Sequence, residues 1–499
     1  MTSLIPPLKI LRSAACWLVI LVCALLCIGV ALAQTGQPAA KPAPANATVP
    51  VLLLSDIHFE PFWDPGKVAQ LDAAPVAKWN AILAPPPASG RQQSFNDLQQ
   101  GCNARGSDTS FTLYQSSLEA MRTDAGGAAF AAVSGDLISH EFHCKYFKLF
   151  PKASNSQYKA FVEKAVEYVI GELNASFPKT PVYFALGNND SECDDYLLDA
   201  NSGFLKETGD EVTRNFPAAE RQDAEQTFSA GGYYGISLPA PIQNARLLVL
   251  DDLFMSKNYR SCAGIPDPTA ADSQIKWLDN QLAQARANQQ KVWVMGHIPP
   301  GIDLYSTAKR LSGICSGLKP AMFLSSEKMA EVMAGYGDVI QLGIFAHTHM
   351  DELRLLRDSS HATPLLPPVP IKMVSSISPI HGNLPSFTVA EIDPSTAALI
   401  DYRVFSSSNM SGNNAKWTEE YEFAKDFGEP DFSASSLSSL IAGFAADSSA
   451  KTKASQNYIA DFSAGNSSSL LQMFWPQYVC ILANDSAQAF QSCVCSSAK

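Results

Sequence analysis

The chain has 499 residues, of which 46% are hydrophobic and 17% are charged. This composition is typical of a soluble globular protein, and the length leaves room for one large domain and a smaller appendage. With 36 basic and 48 acidic residues the formal net charge is −12, which argues against the basic surface that non-specific nucleic-acid binding requires.

The first predicted element is an export signal. Lys9 and Arg12 precede an apolar run over residues 14–33, which closes with Ala31-Leu32-Ala33. This pattern predicts a cleavable signal at residues 1–33, with an uncleaved membrane anchor as the alternative. Cleavage would leave 34 basic and 48 acidic residues, a formal charge of −14, and no further membrane span. We therefore predict a secreted or otherwise extracytoplasmic protein: periplasmic, lysosomal, vacuolar or extracellular.

Residues 34–49 are rich in Ala and Pro and predict a flexible linker. Short apolar runs then alternate with amphipathic stretches such as 158–173 and 273–288. This alternation predicts an α/β domain over residues 50–405, with helices covering buried strands. The predicted strands lie at 51–54, 129–133, 182–186, 247–250, 291–295, 339–345, 371–374, 387–392 and 397–404.

The composition changes at about residue 406. Residues 406–499 are rich in Ser and Ala, with apolar positions at helical spacing around 437–444 and 470–478. We predict a small, mainly helical C-terminal appendage that contains three cysteines.

Eight of the eleven cysteines follow residue 33, an even number that suits disulfides in an exported chain. No C-x-x-C pair is present, which argues against a thiolate zinc site. Spacing does not determine the pairing; Cys480 with Cys493 and Cys262 with Cys315 are the pairs we expect. Six N-x-Ser/Thr sequons are relevant only if the source organism glycosylates its exported proteins.

Five polar motifs each follow a predicted strand. Since ligands gather at the carboxyl ends of strands in open α/β sheets, their loops are expected to meet at one edge. They would bring together two carboxylates, four imidazoles and one amide. The motifs are Ser55-Asp56-Ile57-His58, Ser134-Gly135-Asp136, Leu186-Gly187-Asn188-Asn189-Asp190, Met295-Gly296-His297 and Ala346-His347-Thr348-His349.

This donor set indicates a binuclear metal site. Imidazole and carboxylate ligands suit zinc, manganese or iron, and a bridging carboxylate can hold two ions about 3.5–4 Å apart. A hydroxide shared by the ions would be a nucleophile near neutral pH. We therefore expect two divalent transition-metal ions, with zinc as the first choice, and attack of the hydroxide on phosphorus.

The ordered set D-x-H, G-D, G-N-[HN]-[DE], G-H and [GA]-H-x-H resembles that of the calcineurin-like metallophosphoesterase superfamily. Spacing and flanking residues are most similar to the acid sphingomyelinase-like phosphodiesterases. The resemblance implies two mixed β-sheets packed as a sandwich and flanked by helices. It also implies that Asp56, His58, Asp136 and His349 hold one metal, and that Asp136, Asn188, His297 and His347 hold the other. His140, four residues after Asp136, occupies the position of a histidine that assists departure of the leaving group.

The chain departs from the family pattern at two motif positions. Asn189 replaces the usual His, and we expect its amide to donate to a substrate phosphate oxygen. Gly-Asn-Asn-Asp also resembles the endopolyphosphatase branch. Ala346 replaces a usual Gly, with little expected cost. The segment before Val51 has no room for the saposin-like domain of acid sphingomyelinase, which argues against access to membrane-embedded lipid.

The leading hypothesis is a phosphodiesterase that acts on a phosphate-containing small molecule, a lipid head group or polyphosphate. A phosphomonoesterase or endopolyphosphatase of the same superfamily is the first alternative, and a catalytically inactive metal-binding protein is the second. No nucleic acid or protein partner is expected. His381, which follows a predicted strand, is a further candidate for the lining of the pocket.

Overall fold

The structure, a computed structural model, describes residues 47–357, 366–465 and 469–496. The predicted signal at residues 1–33 and nearly all of the predicted linker lie outside these residues. The compact unit Thr48–Lys499 holds all of the architecture below. No helix in the described ranges is long and apolar enough to cross a membrane.

The described residues form twelve strands, and each of the nine predicted apolar runs overlaps one of them. The sequence missed β4, β8 and β12, because none of these short strands is a continuous apolar run. The strands are β1 Val49–Leu54, β2 Ala131–Ser134, β3 Val182–Ala185, β4 Tyr234–Ser237, β5 Ala245–Val249, β6 Lys291–Met295, β7 Ile340–Phe345, β8 Glu352–Leu356, β9 Val369–Met373, β10 Ser386–Ile392, β11 Leu399–Ser407 and β12 Trp417–Glu422.

The strands form two six-stranded mixed sheets, in the orders β12-β11-β10-β1-β2-β3 and β4-β5-β6-β7-β9-β8. In the first sheet β1, β2 and β3 are parallel, and β10 pairs antiparallel to β1. In the second sheet β5, β6, β7 and β9 are parallel. Phe130 directly precedes β2, and Trp293 lies in β6. Their ring centroids are 5.5 Å apart in the core that the two sheets share. The predicted α/β sandwich of two mixed sheets flanked by helices is confirmed.

Helices cover the sheets because their apolar faces need burial. The helix Asn155–Ser176 begins at a capping box made by Ser154 and Gln157, and its buried face includes Phe161 and Val169. The helices before residue 340 are α1 Val68–Ala73, α2 Trp79–Leu83, α3 Arg91–Gly101, α4 Phe111–Ala125, α5 Phe142–Leu149, α6 Asn155–Ser176, α7 Gly203–Thr213, α8 Ala218–Gly231, α9 Thr269–Ala287, α10 Leu304–Ala308, α11 Leu311–Ile314 and α12 Lys328–Ala334.

The C-terminal region is helical, as predicted, but it also supplies β12, which pairs with β11 at the edge of the first sheet. Its backbone is hydrogen-bonded to the segment that carries β8, through Asp351 N to Phe462 O and Leu355 N to Leu482 O. Its helices are α13 Phe423–Phe427, α14 Ala434–Ala446, α15 Lys453–Asp461, α16 Ser469–Met473, α17 Trp475–Ile481 and α18 Ala487–Ser496.

Four disulfides link the eight cysteines of the described residues. The predicted bond between Cys480 and Cys493 is confirmed. The predicted bond between Cys262 and Cys315 is wrong, because Cys262 pairs with Cys193 and Cys315 pairs with Cys495. The fold brings together cysteines that are 69 and 180 residues apart in sequence, which spacing alone does not reveal. The fourth bond joins Cys102 to Cys144.

Candidate metal centre

The five motifs lie in the loops that follow β1, β2, β3, β6 and β7, so both sheets contribute to one site. Backbone hydrogen bonds hold the loops together: Asp56 N donates to Gly135 O at 3.0 Å, and Ala346 N donates to His297 O at 2.9 Å. We use the term metal centre for the seven predicted ligands, Asp56, His58, Asp136, Asn188, His297, His347 and His349.

The backbone of the metal centre is left-handed at five ligand positions. Asp56, His58, Asp136, His347 and His349 have φ between 44° and 69°, a region that is costly for residues with a side chain and that concentrates at functional sites. Neighbouring glycines make room: a Cβ at Gly187 would lie 2.1 Å from Asp136 Oδ1. The loops are therefore shaped to present ligands at a local conformational cost.

Asp136 lies at the middle of the cluster. Its Oδ2 is 3.3 Å from His58 Nε2 and 3.2 Å from His297 Nε2. Asp136 shares one compact set of ligand atoms with Asp56 and His58 and another with His297 and His347, and the ligand atoms of each set lie within 4.8 Å of one another. This is the position that a bridging carboxylate needs. Burial alone would raise the pKa of Asp136, but the nearby His297 and His58 hold it well below the ordinary range.

The backbone fixes which nitrogen of two imidazoles faces the cluster. Nδ1 of His58 lies 3.0 Å from Ile138 O, and Nδ1 of His297 lies 2.8 Å from Ser134 O. Because a carbonyl oxygen can only accept, these Nδ1 atoms carry the hydrogen, and the Nε2 atoms are left for a metal. Asp252 also fixes the loop of His297, since its carboxylate accepts from the backbone N–H groups of His297 and Ile298.

The donors fit a pair of metal ions. Several of their buried polar atoms have no hydrogen-bond partner: both oxygens of Asp56, Nε2 of His58, Oδ1 of Asn188 and Nδ1 of His349. Buried polar atoms are normally paired, so such a concentration in one cluster fits donors that coordinate cations. The pKa values agree: burial lowers that of His58, but Asp136 and Asp56 outweigh it and raise the value to about 9.

Burial lowers the pKa of His297 as well, but Asp136 outweighs it and raises the value to about 10. His347 and His349, by contrast, are held as neutral bases. Burial, with a further contribution from His297, lowers the pKa of His347 to about 4. Burial and the neighbouring imidazoles hold the pKa of His349 well below its usual range. Since a metal binds the neutral imidazole, both rings are ready for coordination without first losing a proton.

His140 lies beside the ligands without belonging to the predicted set. Its ring stacks on that of His58, with centroids 4.0 Å apart. Asp108 holds it, because Nδ1 of His140 lies 3.1 Å from Asp108 Oδ1 and the His140 backbone N–H donates to Asp108 Oδ2. Asp108 is buried and also accepts from Ser378 Oγ at 2.8 Å. The imidazole is partly open to solvent, with 28% of its side chain exposed.

The amides that follow β3 have different partners. Asn188 Nδ2 donates to Asp195 Oδ1 at 2.8 Å, which leaves the buried Asn188 Oδ1 for a metal. Asn189 donates its backbone N–H and Nδ2 to the two oxygens of Asp136, at 2.8 and 2.9 Å. In this structure the Asn189 amide is thus directed at Asp136.

Sequence reasoning missed Asp108, Asp195 and Tyr196 as neighbours of the site. Tyr196 Oη lies 3.3 Å from His347 Nε2, and Asp108 lies in a loop with no motif. Only the closeness of Asp195 to Asn188 in sequence offered a signal. His381 does lie at the site, with its ring centroid 4.5 Å from that of His349.

Comparison with known proteins agrees with this geometry. A family model for calcineurin-like phosphoesterases matches residues 49–351. Sphingomyelinase phosphodiesterase C of Dictyostelium discoideum is 26% identical over 337 residues, which cover 64% of this chain and 68% of that protein. Acid sphingomyelinase-like phosphodiesterase 3b of Homo sapiens is 26% identical over 349 residues, 68% of this chain and 72% of that protein.

Two further comparisons are more partial. Cyclic GMP-AMP phosphodiesterase SMPDL3A of Rattus norvegicus is 26% identical over 276 residues, 53% of this chain and 57% of that protein. A solved dimetal phosphatase from Danio rerio is 13% identical with a TM-score of 0.39, covering 75% of this chain and 99% of that one, a likeness too low to support an argument. The predicted resemblance is confirmed by the family model, which spans more than half of the chain: the protein belongs to the calcineurin-like phosphoesterase family and is a metal-dependent phosphoric ester hydrolase.

Proposed function

We propose that the protein is an exported binuclear-metal phosphodiesterase in which His140 donates a proton to the leaving group. The observation that carries this proposal is the placement of His140. It stacks on a predicted ligand, is held at Nδ1 by the buried Asp108, and keeps part of its ring open to solvent. When an alkyl diester is hydrolysed, the leaving group departs as an alkoxide, which needs a proton, whereas a well-stabilised aryl oxide does not.

The proposed ligands divide into two sets that share Asp136, as the family resemblance implies. Asp56, His58 and His349 would complete one set, and Asn188, His297 and His347 the other. We propose zinc, because four imidazoles with carboxylates suit it, with manganese or iron as alternatives. When bound, two such ions polarise the phosphoryl oxygens and make hydroxide available near neutral pH.

Hydrogen bonds within the chain would position the side chains that surround these ions. Asp108 fixes the His140 ring so that Nε2 remains free to carry the transferred proton. Asn189 restrains Asp136 through two hydrogen bonds, so we propose a positioning role for it in place of the predicted phosphate contact. His381 flanks His140, with ring centroids 6.4 Å apart, and lines the same open side.

The substrate class is proposed from the relatives together with the site. The relatives at 26% identity are named as a sphingomyelinase phosphodiesterase and a cyclic GMP-AMP phosphodiesterase, so both names denote enzymes that act on diesters. Four disulfides are typical of extracytoplasmic compartments, and we propose that the chain acts there on a small phosphodiester or a lipid head group.

The test compares diesters with good and poor leaving groups. We expect about two transition-metal ions per chain and faster turnover of bis-p-nitrophenyl phosphate than of p-nitrophenyl phosphate. His140→Gln should reduce turnover of an alkyl diester by about 10²–10⁴-fold and that of the nitrophenyl diester much less. The matched control is His143→Gln, because His143 lies nearby on α5 with 40% of its side chain exposed.

Three results would overturn parts of the proposal. Equal losses for both leaving groups would remove His140 as the proton donor. Loss of metal from His140→Gln would make it a ligand, since a nitrogen of His140 lies within 4.8 Å of ligand atoms of His58 and His349. Turnover of monoesters or polyphosphate but of no diester would establish the corresponding alternative.

A further inference from the structure

Exposed apolar side chains concentrate in two segments of the chain. Among the described residues, the large hydrophobic side chains that are exposed are Ile265, Tyr305, Leu318, Met410 and Met473. Three of the five lie in two neighbouring segments, residues 256–268 and residues 301–323, the second of which includes α10 and α11; we call the two segments the rim. Ile265 is 61% exposed, Tyr305 67% and Leu318 54%, so the rim presents its apolar groups to solvent.

The rim adjoins the metal centre. The segment 301–323 begins four residues after His297 and ends at Phe323, whose ring centroid is 5.6 Å from that of His347. The segment 256–268 is attached to it, since Lys257 N donates to Phe323 O at 3.3 Å and Lys257 Nζ lies 3.0 Å from Asp303 Oδ2. The rim is therefore connected to the ligand cluster through Phe323.

The charge of the rim is opposite to that of the chain. The rim has a net charge of +3, whereas the whole chain has a net charge of −12. Lys309, Arg310 and Lys319 are exposed beside Tyr305 and Leu318. The basic rim residues are Lys257, Arg260, Lys309, Arg310 and Lys319, and the acidic ones are Asp267 and Asp303.

A disulfide links each rim segment to another part of the fold. Cys262 joins the first segment to Cys193, which is close in sequence to Asn188, and Cys315 joins the second segment to Cys495 in α18.

We propose that the rim docks the protein on an anionic phospholipid bilayer. An aromatic and two aliphatic side chains would enter the head-group region, and the basic residues would be attracted to lipid phosphates, as at other interfacial sites. A protein partner fits less well, because three separate side chains make a much smaller apolar surface than a stable interface of about 800 Å² per partner.

Docking is a binding event, so its test does not depend on the proposed reaction. The protein, purified after export, is sedimented with vesicles of phosphatidylcholine containing phosphatidylglycerol and with vesicles of phosphatidylcholine alone. We expect stronger partition onto the anionic vesicles, reduced by salt. Replacing Lys309 and Arg310 by Ala should weaken partition about fivefold for each charge removed, and Tyr305→Ser with Leu318→Ser should weaken it about tenfold.

Met410→Ser with Met473→Ser is the matched control, because it removes exposed apolar side chains away from the rim. The control and both rim variants should keep the thermal midpoint and the turnover of bis-p-nitrophenyl phosphate, which separates lost docking from misfolding. Equal partition of wild type and rim variants, or equal loss in the methionine control, would overturn the proposal. So would equal partition onto both kinds of vesicle.

Discussion

The metal centre and a second, partly buried cluster at the C-terminal region both contain carboxylates, but the two clusters balance this charge differently. The second cluster, which we call the C-terminal junction, consists of Asp351, Lys372, Glu420 and Asp461. At the metal centre imidazoles and an amide accompany the acids, and the unpaired atoms fit metal ions. At the junction Lys372 pairs with Asp351, and neither oxygen of Glu420 has a hydrogen-bond partner.

At the junction, protonation neutralises two of the acids. Burial, together with Asp351 and Asp461, raises the pKa of Glu420 to about 9. Burial and Asp351 raise that of Asp461 to about 8. At pH 7 the junction thus holds one ion pair and two neutral acids, whereas His297 and His58 hold the pKa of Asp136 at the metal centre well below its ordinary range. Replacing an acid by its amide should therefore abolish activity at the metal centre, but at the junction it should increase the stability of the fold.

The largest effect is expected at Asp136. Asp136→Asn removes the shared anionic ligand, and turnover of bis-p-nitrophenyl phosphate should fall by more than about 100-fold. This exceeds the loss that is usual when a residue that only hydrogen-bonds to a metal ligand is replaced. Metal content, measured by elemental analysis, should fall with it. Asp194→Asn is the control, since Asp194 is nearby but 48% exposed. Retained metal and turnover in Asp136→Asn would refute the bridging assignment.

The next effect is expected at Asp108, which acts through His140. Asp108→Asn removes the charge that orients His140 Nδ1, and turnover of an alkyl diester should fall about 10–100-fold. A positioning role predicts the same leaving-group dependence as in His140→Gln, with metal content unchanged. A loss that is equal for alkyl and nitrophenyl diesters would instead indicate general damage to the loop.

A smaller effect is expected at Asp195, which accepts from Asn188 Nδ2. Asp195→Ala leaves the amide free to turn, so metal affinity should fall about tenfold, measured by competition with a chelator. Comparison with Asp194→Ala controls for the loss of a neighbouring charge. Unchanged affinity would show that Asn188 is held in place without Asp195.

The smallest effect is expected at the junction and depends on pH. The pKa of Glu420 is raised in the folded state to about 9, from an ordinary value of 4.5. The contribution of the protonated Glu420 to the stability of the fold is therefore fully present below pH 4.5, and this contribution is lost as the pH rises towards 9. Glu420→Gln keeps the side chain neutral, so the thermal midpoint should rise by about 1–3 °C at pH 8 and stay unchanged at pH 4. Glu419→Gln, at the adjacent and exposed position, should change neither value. A lower midpoint at pH 8 would mean that Glu420 is ionised and paired.

The sequence predicted the parts that depend on local pattern. The apolar runs located nine strands, and the ordered motifs located the loops that bring Asp56, Asp136 and His297 together. It could not predict Asp108, because its link to His140 crosses 32 residues and depends on tertiary packing. The pairing of Cys262 failed for the same reason, and the direction of the Asn189 amide depends on which acceptor the folded loop places nearest.

The pairing of β11 with β12 makes the region after residue 405 inseparable from the sheet. A shortened protein that ended there would cut β11 before Ser407 and remove its partner strand. It would leave an open strand edge, which favours aggregation. It would also remove Phe462, whose carbonyl accepts from the Asp351 backbone N–H two residues after His349. The smallest active form of this enzyme should therefore include its C-terminal helices.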